Sequence, residues 1–123
     1  MHTIMGEGKR EMSGGIAFVY ATYPDSETAK EAAVAVVQAE LAACANIIPA
    51  MMSVYRWEGT TETANETVAI FKTHKPLVPE LMQFLRDMHP YDVPALLELP
   101  IERVDAPYRA WLLAGTKSSQ GTD

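Results

Sequence analysis

The sequence predicts an α+β fold of the ferredoxin-like type, a βαββαβ sandwich in which a four-stranded antiparallel sheet carries two helices on one face. Strand-like and helix-like segments follow one another in that order along the chain. The second and third strand candidates adjoin each other, as the halves of a long β-hairpin do, and a short helix closes the chain. The length of 123 residues suits one domain, which we place at residues 16–115, between a flexible lead-in at 1–15 and a flexible tail at 116–123.

The first strand and the first helix are marked by a change from β-branched and aromatic residues to alanine. Residues 15–23, GIAFVYATY, are typical of a strand and end at a Pro-Asp pair. Asp25 or Ser26 can cap the helix that follows. The next segment lacks proline and glycine, so this helix is predicted to run from Glu27 to about Ala43.

The second and third strands are predicted at residues 44–59 and 66–73, joined by a polar turn from Gly59 to Asn65. The second strand is longer than most, and Pro49 in its middle must bend it or mark a β-bulge. Its far half, SVYRWEG, is therefore expected to leave the sheet as a two-stranded arm. An isolated hairpin is only marginally stable, so the arm is expected to lie on a neighbouring molecule.

The remaining elements are bounded by prolines. A helix is predicted from Pro76 to His89, and a strand at residues 95–104 that Pro100 bends or ends. A short last helix is predicted at residues 105–115, with an aspartate as its cap. We interpret the proline-rich segment HPYDVPALLELP as a stiff joint that aims the fourth strand and forms part of a pocket rim.

Both faces of the predicted sheet are apolar, although two helices can cover only one of them. Apolar residues alternate on the two sides of the first and third strands: Ile16, Phe18 and Tyr20 against Ala17, Val19 and Ala21, and Val68 and Ile70 against Ala69 and Phe71. Monomers rarely expose a patch of this size, so we expect other copies of the chain to cover it. The alternative is that the last helix folds over this face, although eleven residues can shield only part of the sheet.

The charge and the cysteine content exclude several classes of function. A net charge of −6 without any basic run argues against nucleic acid and anionic membranes as partners. Cys44 is the only cysteine, so the chain forms no internal disulfide and no cysteine-rich zinc site. No apolar run is long enough for a membrane span, and the N-terminus lacks the apolar core of a secretory signal, so we expect a cytoplasmic protein.

Several motifs together resemble the divalent-cation tolerance (CutA) family over residues 16–115: AACANIIP, SVYRWEG, FKT, HPYDVPALLELP and YRAWL. The resemblance implies a ferredoxin-like protomer, a homotrimer built through edge strands, and an architecture similar to that of PII signalling proteins. It also implies a role in tolerance to divalent metals, copper above all, and it brings no catalytic mechanism.

The copper ligands proposed for some members of that family are only partly present. They are a cysteine at the end of the first strand, where this chain has Ala21, and a His-His pair, where this chain has Met88 and His89. Of that set only His89 matches. The acidic residue that usually follows the second proline of HPYDVP is also replaced, by Ala95.

Cys44 and His89 are the candidate metal ligands, and each has a structural alternative. A thiolate binds Cu(I) and zinc well, but a lone cysteine among small apolar residues is more often a buried hydrophobe. His89 precedes a proline at a predicted helix end, where an imidazole can bond the last carbonyls.

Five residues are candidates for a ligand pocket between subunits: Tyr55, Trp57, Lys72, Tyr91 and Asp92. Aromatic walls with one ammonium and one carboxylate suit a small polar or anionic ligand. The alternative is that the aromatic rings pack in the trimer interface while Lys72 pairs with a carboxylate, for which the candidates are Glu66, Glu98 and Asp92.

The leading hypothesis is a non-enzymatic homotrimer of the CutA family that binds copper or another divalent cation weakly, or a small ligand, in clefts between subunits. The alternative is a PII-like regulatory module that senses a small anionic metabolite and signals to a partner protein. Enzyme classes are disfavoured because the chain has no GxSxG elbow, Walker loop or dinucleotide fingerprint. The loop after the first strand also lacks the arginine that acylphosphatases of this fold use.

Overall fold

The computed structural model describes residues 15–118, and it confirms the predicted α+β, ferredoxin-like architecture. Most of the predicted lead-in and the end of the predicted tail, residues 1–14 and 119–123, lie outside the described residues. The strands are β1 (Ile16–Tyr23), β2 (Cys44–Trp57), β3 (Thr60–His74) and β4 (Leu96–Pro100), and the helices are α1 (Ser26–Gln38), α2 (Val78–Met88) and α3 (Ala106–Ala114), with a 3₁₀ turn at Lys75–Leu77 before α2.

The four strands form one antiparallel sheet in the order β2-β3-β1-β4. Phe18 of β1 shows the register, because it lies opposite Lys72 of β3 on one side and opposite Leu99 of β4 on the other. This is the order that two βαβ crossovers on one face of a sheet produce. It leaves β2 and β4 at the two edges.

The helices begin where the sequence indicates. Asp25 is the N-cap of α1, since its Oδ1 accepts a hydrogen bond of 2.8 Å from the Thr28 N–H, and this bond lowers the pKa of the Asp25 carboxyl. The longest helix, α1, has 13 residues. Within residues 15–118, none of the helices combines the length and the apolar character needed to cross a membrane.

The end of α1 was predicted wrongly: the helix stops at Gln38 rather than at about Ala43. It closes with a Schellman-type turn, in which the Leu41 N–H reaches back to the Val36 carbonyl at 3.1 Å and Glu40 adopts a left-handed φ of 61°. Glycine usually occupies that position because it has no Cβ atom, so a positive φ causes no steric clash. A glutamate there gives no sign of the stop in the sequence.

β2 and β3 are joined by a two-residue turn at Glu58 and Gly59, so the predicted link from Gly59 to Asn65 is wrong. Both turn residues have positive φ, 49° and 81°, which is the type I′ geometry that matches the twist of a hairpin. Trp57 therefore pairs directly with Thr60, where β3 begins. The threonines that suggested a polar loop are strand residues, in keeping with their high β-propensity.

Pro49 marks a β-bulge, as predicted. The register changes between Ile48 and Met51, where Pro49 and Ala50 together face Thr67 of β3 and Ala50 adopts a φ of 63°. Proline has no N–H to contribute to the ladder, so a bulge is a position in a strand that tolerates it.

Beyond the bulge the hairpin continues as a two-stranded arm, residues 51–66, as predicted. β1 stops pairing with β3 at Thr67, so β1 does not accompany the arm as a third strand. Large apolar side chains are exposed on both sides of the arm, with Val54 65% and Trp57 60% exposed. A two-stranded ribbon of this kind is only marginally stable on its own.

The main core lies between the helices and the face of the sheet that carries Val19 and Phe71. Both side chains are fully buried, as are Val36 of α1 and Leu81 and Leu85 of α2. Full burial of a side chain of this kind contributes roughly 1.5–3 kcal/mol to stability. The helices of a single chain thus close this face of the sheet.

The opposite face of the sheet, here called the outer face, is only partly covered. Its side chains form rows across the strands, with Cys44, Lys72, Phe18 and Leu99 in one row and Asn46, Ile70, Tyr20 and Leu97 in the next. α3 covers one end, where Leu112 is fully buried and a Cβ on Gly115 would lie 2.9 Å from the Ala43 Cβ. Leu97 and Leu99 remain exposed. The last helix therefore shields only part of this face.

The C-terminal elements follow the prediction with small differences. β4 ends at Pro100, four residues earlier than the latest predicted position. Asp105 occupies the N-cap position of α3, but its side chain makes no capping hydrogen bond. In the described part of the predicted tail, Lys117 donates its N–H to the Glu40 carbonyl and pairs with the Glu80 carboxylate. The first residues after α3 are therefore attached to the domain.

Candidate functional site

The base of the arm holds a hydrogen-bonded cluster around Glu66, which lies on β3 next to the bulge. Its carboxylate accepts hydrogen bonds from Ser53 Oγ at 2.7 Å and from Tyr91 Oη at 3.1 Å. Ser53 belongs to β2, and Tyr91 to the loop between α2 and β4. The cluster thus ties the arm to the proline-rich loop.

The Tyr91 phenol has a raised pKa. Burial is the main cause, and the hydrogen bond and the negative charge of Glu66 act in the same direction. Tyr55 adds a smaller electrostatic contribution in the same direction. Sequence reasoning missed Glu66 and Ser53 as members of the site. The available signal was the bulge, which places Ser53, Tyr55 and Glu66 on one side of the arm.

The His89 imidazole is fully engaged in structural contacts. Its ring stacks on Tyr23 with centroids 4.5 Å apart and lies 4.8 Å from the Tyr91 ring. The Tyr91 N–H donates to Nδ1 at 3.1 Å, so Nδ1 carries no proton and Nε2–H donates to the Thr22 carbonyl at 2.8 Å. That carbonyl belongs to β1 rather than to the last turn of α2. A metal ion would have to displace one of these two bonds.

Tyr23 is the large buried neighbour of this histidine. Its side chain is 1% exposed, and its hydroxyl has no hydrogen-bond partner among residues 15–118. Burial raises the pKa of Tyr23 to about 12, because the phenolate would lose its solvation.

A second cluster lies at the other end of the outer face, beneath α3. The Lys72 ammonium donates to Tyr108 Oη at 3.1 Å and sits over the rings of Phe18 and Tyr108, 5.5 and 5.4 Å from their centroids. Cys44 Sγ lies 3.8 Å from the same Tyr108 Oη. Trp111 stacks on Tyr108 with centroids 5.7 Å apart.

One chain does not bring all five predicted pocket residues together. Lys72 is six positions from Glu66 along β3, which corresponds to about 20 Å. Trp57 lies two positions beyond Tyr55 toward the tip of the arm, and Asp92 is exposed beside Tyr91.

Within residues 15–118, Lys72 forms no ion pair with Glu66, Glu98 or Asp92, the partners considered in the alternative interpretation. Glu66 is bonded to Ser53 and Tyr91, and Glu98 pairs with Lys75. Across residues 15–118, the polar contact of Lys72 is the Tyr108 hydroxyl. The other two N–H groups of the ammonium have no hydrogen-bond acceptor among residues 15–118.

The two candidate metal ligands are far apart. Cys44 lies in the sheet row of Phe18, whereas the His89 ring bonds to Thr22, four positions along β1, or about 13 Å away. The part of the chain that the structure describes contains no group of three or more His, Cys, Asp or Glu side chains that could hold a metal ion. These residues do not fit a common metal site in one chain.

Comparison with known proteins identifies the family to which this sequence and fold are similar. The family model of the CutA1 divalent ion tolerance protein matches residues 17–114. Protein CutA of Mus musculus is 40% identical over 111 residues, covering 90% of this chain but 63% of that protein, so the chain spans less than two thirds of its length. The divalent-cation tolerance protein CutA of Pyrococcus horikoshii is 38% identical over 99 residues, covering 80% of this chain and 96% of that protein.

The fold is also found among solved structures. The divalent ion tolerance protein CutA1 of Ehrlichia chaffeensis superposes with a TM-score of 0.82 at 30% identity, covering 85% of this chain and 97% of that chain. The family model spans nearly the whole described domain, from β1 to the end of α3. The chain therefore belongs to the CutA1 divalent ion tolerance protein family.

Proposed function

We propose that the protein is a non-enzymatic, cytoplasmic homotrimer whose clefts between chains bind a small ligand, or copper or another divalent cation weakly. The observation that carries this proposal is the apolar surface that a single chain leaves uncovered on the outer face and on the arm. Each large apolar side chain left in water forgoes roughly 1.5–3 kcal/mol. Monomers rarely tolerate a contiguous patch of that kind.

The topology supports a closed ring rather than a two-fold dimer. β2 and β4 lie at opposite edges of the sheet, and each presents unpaired backbone groups there. Contact between the β2 edge of one chain and the β4 edge of the next is heterologous, and heterologous contacts form a ring when the rotation between neighbours closes, here after three chains in our proposal. The arm, which extends β2 beyond the parent sheet, would lie on the neighbouring chain.

Such a ring would assemble the predicted pocket from two chains. Tyr55, Trp57, Tyr91 and Asp92 lie at or near the arm of one chain, and Lys72 lies about 20 Å away in the same chain. In our proposal the Lys72 of one chain faces the arm aromatics of the next. The ammonium then supplies the charge, and the rings supply the walls, of one cleft.

Sedimentation equilibrium at micromolar concentration tests the assembly. We expect a single species of three times the chain mass of 13.5 kDa. A monomer under these conditions would remove both the trimer and the clefts between chains.

Replacing Cys44 by alanine is expected to change copper affinity less than tenfold. Cys44 and His89 lie at different ends of the sheet, and residues 15–118 contain no group of three or more His, Cys, Asp or Glu side chains that could include the thiol in a metal site. Isothermal titration with Cu(I) held by a competing chelator measures the change, with Val34→Ala, on an exposed helix surface, as the control. A hundredfold loss in Cys44→Ala alone would show that the thiolate is a principal ligand.

The alternative is a PII-like regulatory module that senses a small anionic metabolite and passes the signal to a partner protein. The lysine without a carboxylate partner in residues 15–118 favours it. Calorimetric titration with a nucleotide panel in metal-free buffer separates the two functions. Sub-micromolar nucleotide binding would support the regulatory module.

A further inference from the structure

We propose that the cluster beneath α3 is a binding site for a small monocarboxylate with a flat apolar body. The cluster, here called the Lys72 site, consists of Cys44, Lys72 and Tyr108 together with the rings of Phe18 and Trp111. All five residues belong to one chain. The inference does not depend on metal binding, and it deepens the proposed function, because the Lys72 site shares its lysine with the proposed cleft between chains while its own donors are present in a single chain.

Each polar group of the Lys72 site can donate a hydrogen bond. The ammonium has three N–H groups and gives one to Tyr108 Oη at 3.1 Å. Tyr108 Oη accepts that bond, so its own proton is available to another acceptor. Cys44 Sγ lies 3.8 Å from the same oxygen, and either group can be the donor in that contact. Such a group of converging donors suits an anion.

The surroundings of the Lys72 ammonium would make hydrogen bonds to a bound anion favourable. Its side chain is half-buried, and two aromatic rings lie beside the ammonium at 5.5 and 5.4 Å. The rings attract the cation but accept no conventional hydrogen bond. An oxyanion would meet the two remaining N–H groups and the Tyr108 hydroxyl, and charge-assisted hydrogen bonds of this type are stronger than neutral ones.

The charge and shape of the site point to a monocarboxylate rather than a phosphate. One ammonium balances one negative charge, and the chain as a whole carries −6, which repels polyanions. Tyr108 and Trp111 are stacked within 19° of parallel, and Trp111 is 52% exposed. A planar apolar group can stack on that exposed indole while its carboxylate reaches Lys72.

Nuclear magnetic resonance titration of the intact protein tests the proposal, with benzoate, benzyl alcohol and inorganic phosphate as probes. We expect benzoate to shift the Trp111 indole resonance with a Kd on the order of 1 mM. Lys72→Met keeps an apolar stem against the two rings and removes the charge, so it should weaken benzoate binding at least tenfold, or 1.4 kcal/mol. Tyr108→Phe, which removes only the hydroxyl, should weaken it about threefold to tenfold.

Lys75→Met is the matched control. Lys75 lies three residues after Lys72, in the 3₁₀ turn that follows β3, and it is already paired with Glu98, so its loss should change benzoate affinity less than twofold. Equal binding of benzoate and benzyl alcohol, tighter binding of phosphate, or unchanged affinity in Lys72→Met would each overturn the proposal. Sedimentation of Lys72→Met as a lighter species than the wild type would also overturn it, because the lysine would then serve a carboxylate of another chain. A monomeric wild type that binds benzoate as expected would refute the trimer and leave the Lys72 site standing.

Discussion

Replacing Val54 and Trp57 together by aspartate is expected to convert the proposed trimer into folded monomers. The two side chains are 65% and 60% exposed in one chain and lie on opposite sides of the arm, since Val54 pairs with Thr63 and Trp57 with Thr60. Their burial at an interface would contribute roughly 1.5–3 kcal/mol each, and a buried unpaired carboxylate would cost several more. A trimer contains three copies of each contact. Sedimentation equilibrium at micromolar concentration measures the result.

Val34→Asp is the control for this prediction. Val34 is a valine that is 45% exposed on α1, away from the arm and the outer face, so the same change there should leave a trimer. Circular dichroism should show folded protein for both variants, because the arm lies outside the main core. A Val54→Asp, Trp57→Asp protein that remains trimeric would exclude the arm from the interface.

Stability is expected to fall steeply above pH 10, and Tyr23 is expected to cause much of that fall. Its pKa is raised from 10.0 to about 12 in the folded chain by burial. Between these values the unfolded chain loses the proton and the folded chain keeps it, so the stabilisation present below pH 10 is lost as the pH rises toward 12. At 1.36 kcal/mol per pH unit, the loss reaches about 3 kcal/mol. Urea unfolding at fixed protein concentration from pH 8 to 11.5 measures the slope.

Tyr23→Phe should flatten this dependence by about one proton. At neutral pH the variant should be no less stable than the wild type, because the hydroxyl it removes has no partner among residues 15–118. Some slope will remain, since the pKa of Tyr91 is also raised. Equal slopes for Tyr23→Phe and the wild type would contradict the assignment.

The sequence predicted the architecture because its strongest signals are local. Pro49 within a long strand indicated the bulge, and the strand and helix order indicated the sheet topology. The two errors share one physical cause. Glu40 and Glu58 both adopt positive φ. A sequence indicates this conformation clearly only where the residue is glycine or asparagine, which adopt it most readily. The helix end and the hairpin turn were therefore misplaced.

The candidate site was less accessible to sequence reasoning. Tyr55 and Tyr91 were both candidates for the pocket, but the acceptor that joins the cluster, Glu66, was considered only as a partner for Lys72. Cross-strand register decides such contacts, and one bulge changes the register of everything beyond it. The two hydrogen bonds of His89 likewise depend on a β1 carbonyl and a loop amide that no local pattern reveals.

The end of β1–β3 pairing at Thr67 also affects the order in which parts of the chain become structured during folding. From Asn65 toward the tip, the backbone of the arm is paired only between β2 and β3 within residues 15–118, so this part forms its own unit of local opening. In a free chain, amide hydrogens there would exchange with solvent long before those of the buried strands. Folding of the sandwich would come first, and the ribbon would gain its protection last, on contact with a sister molecule.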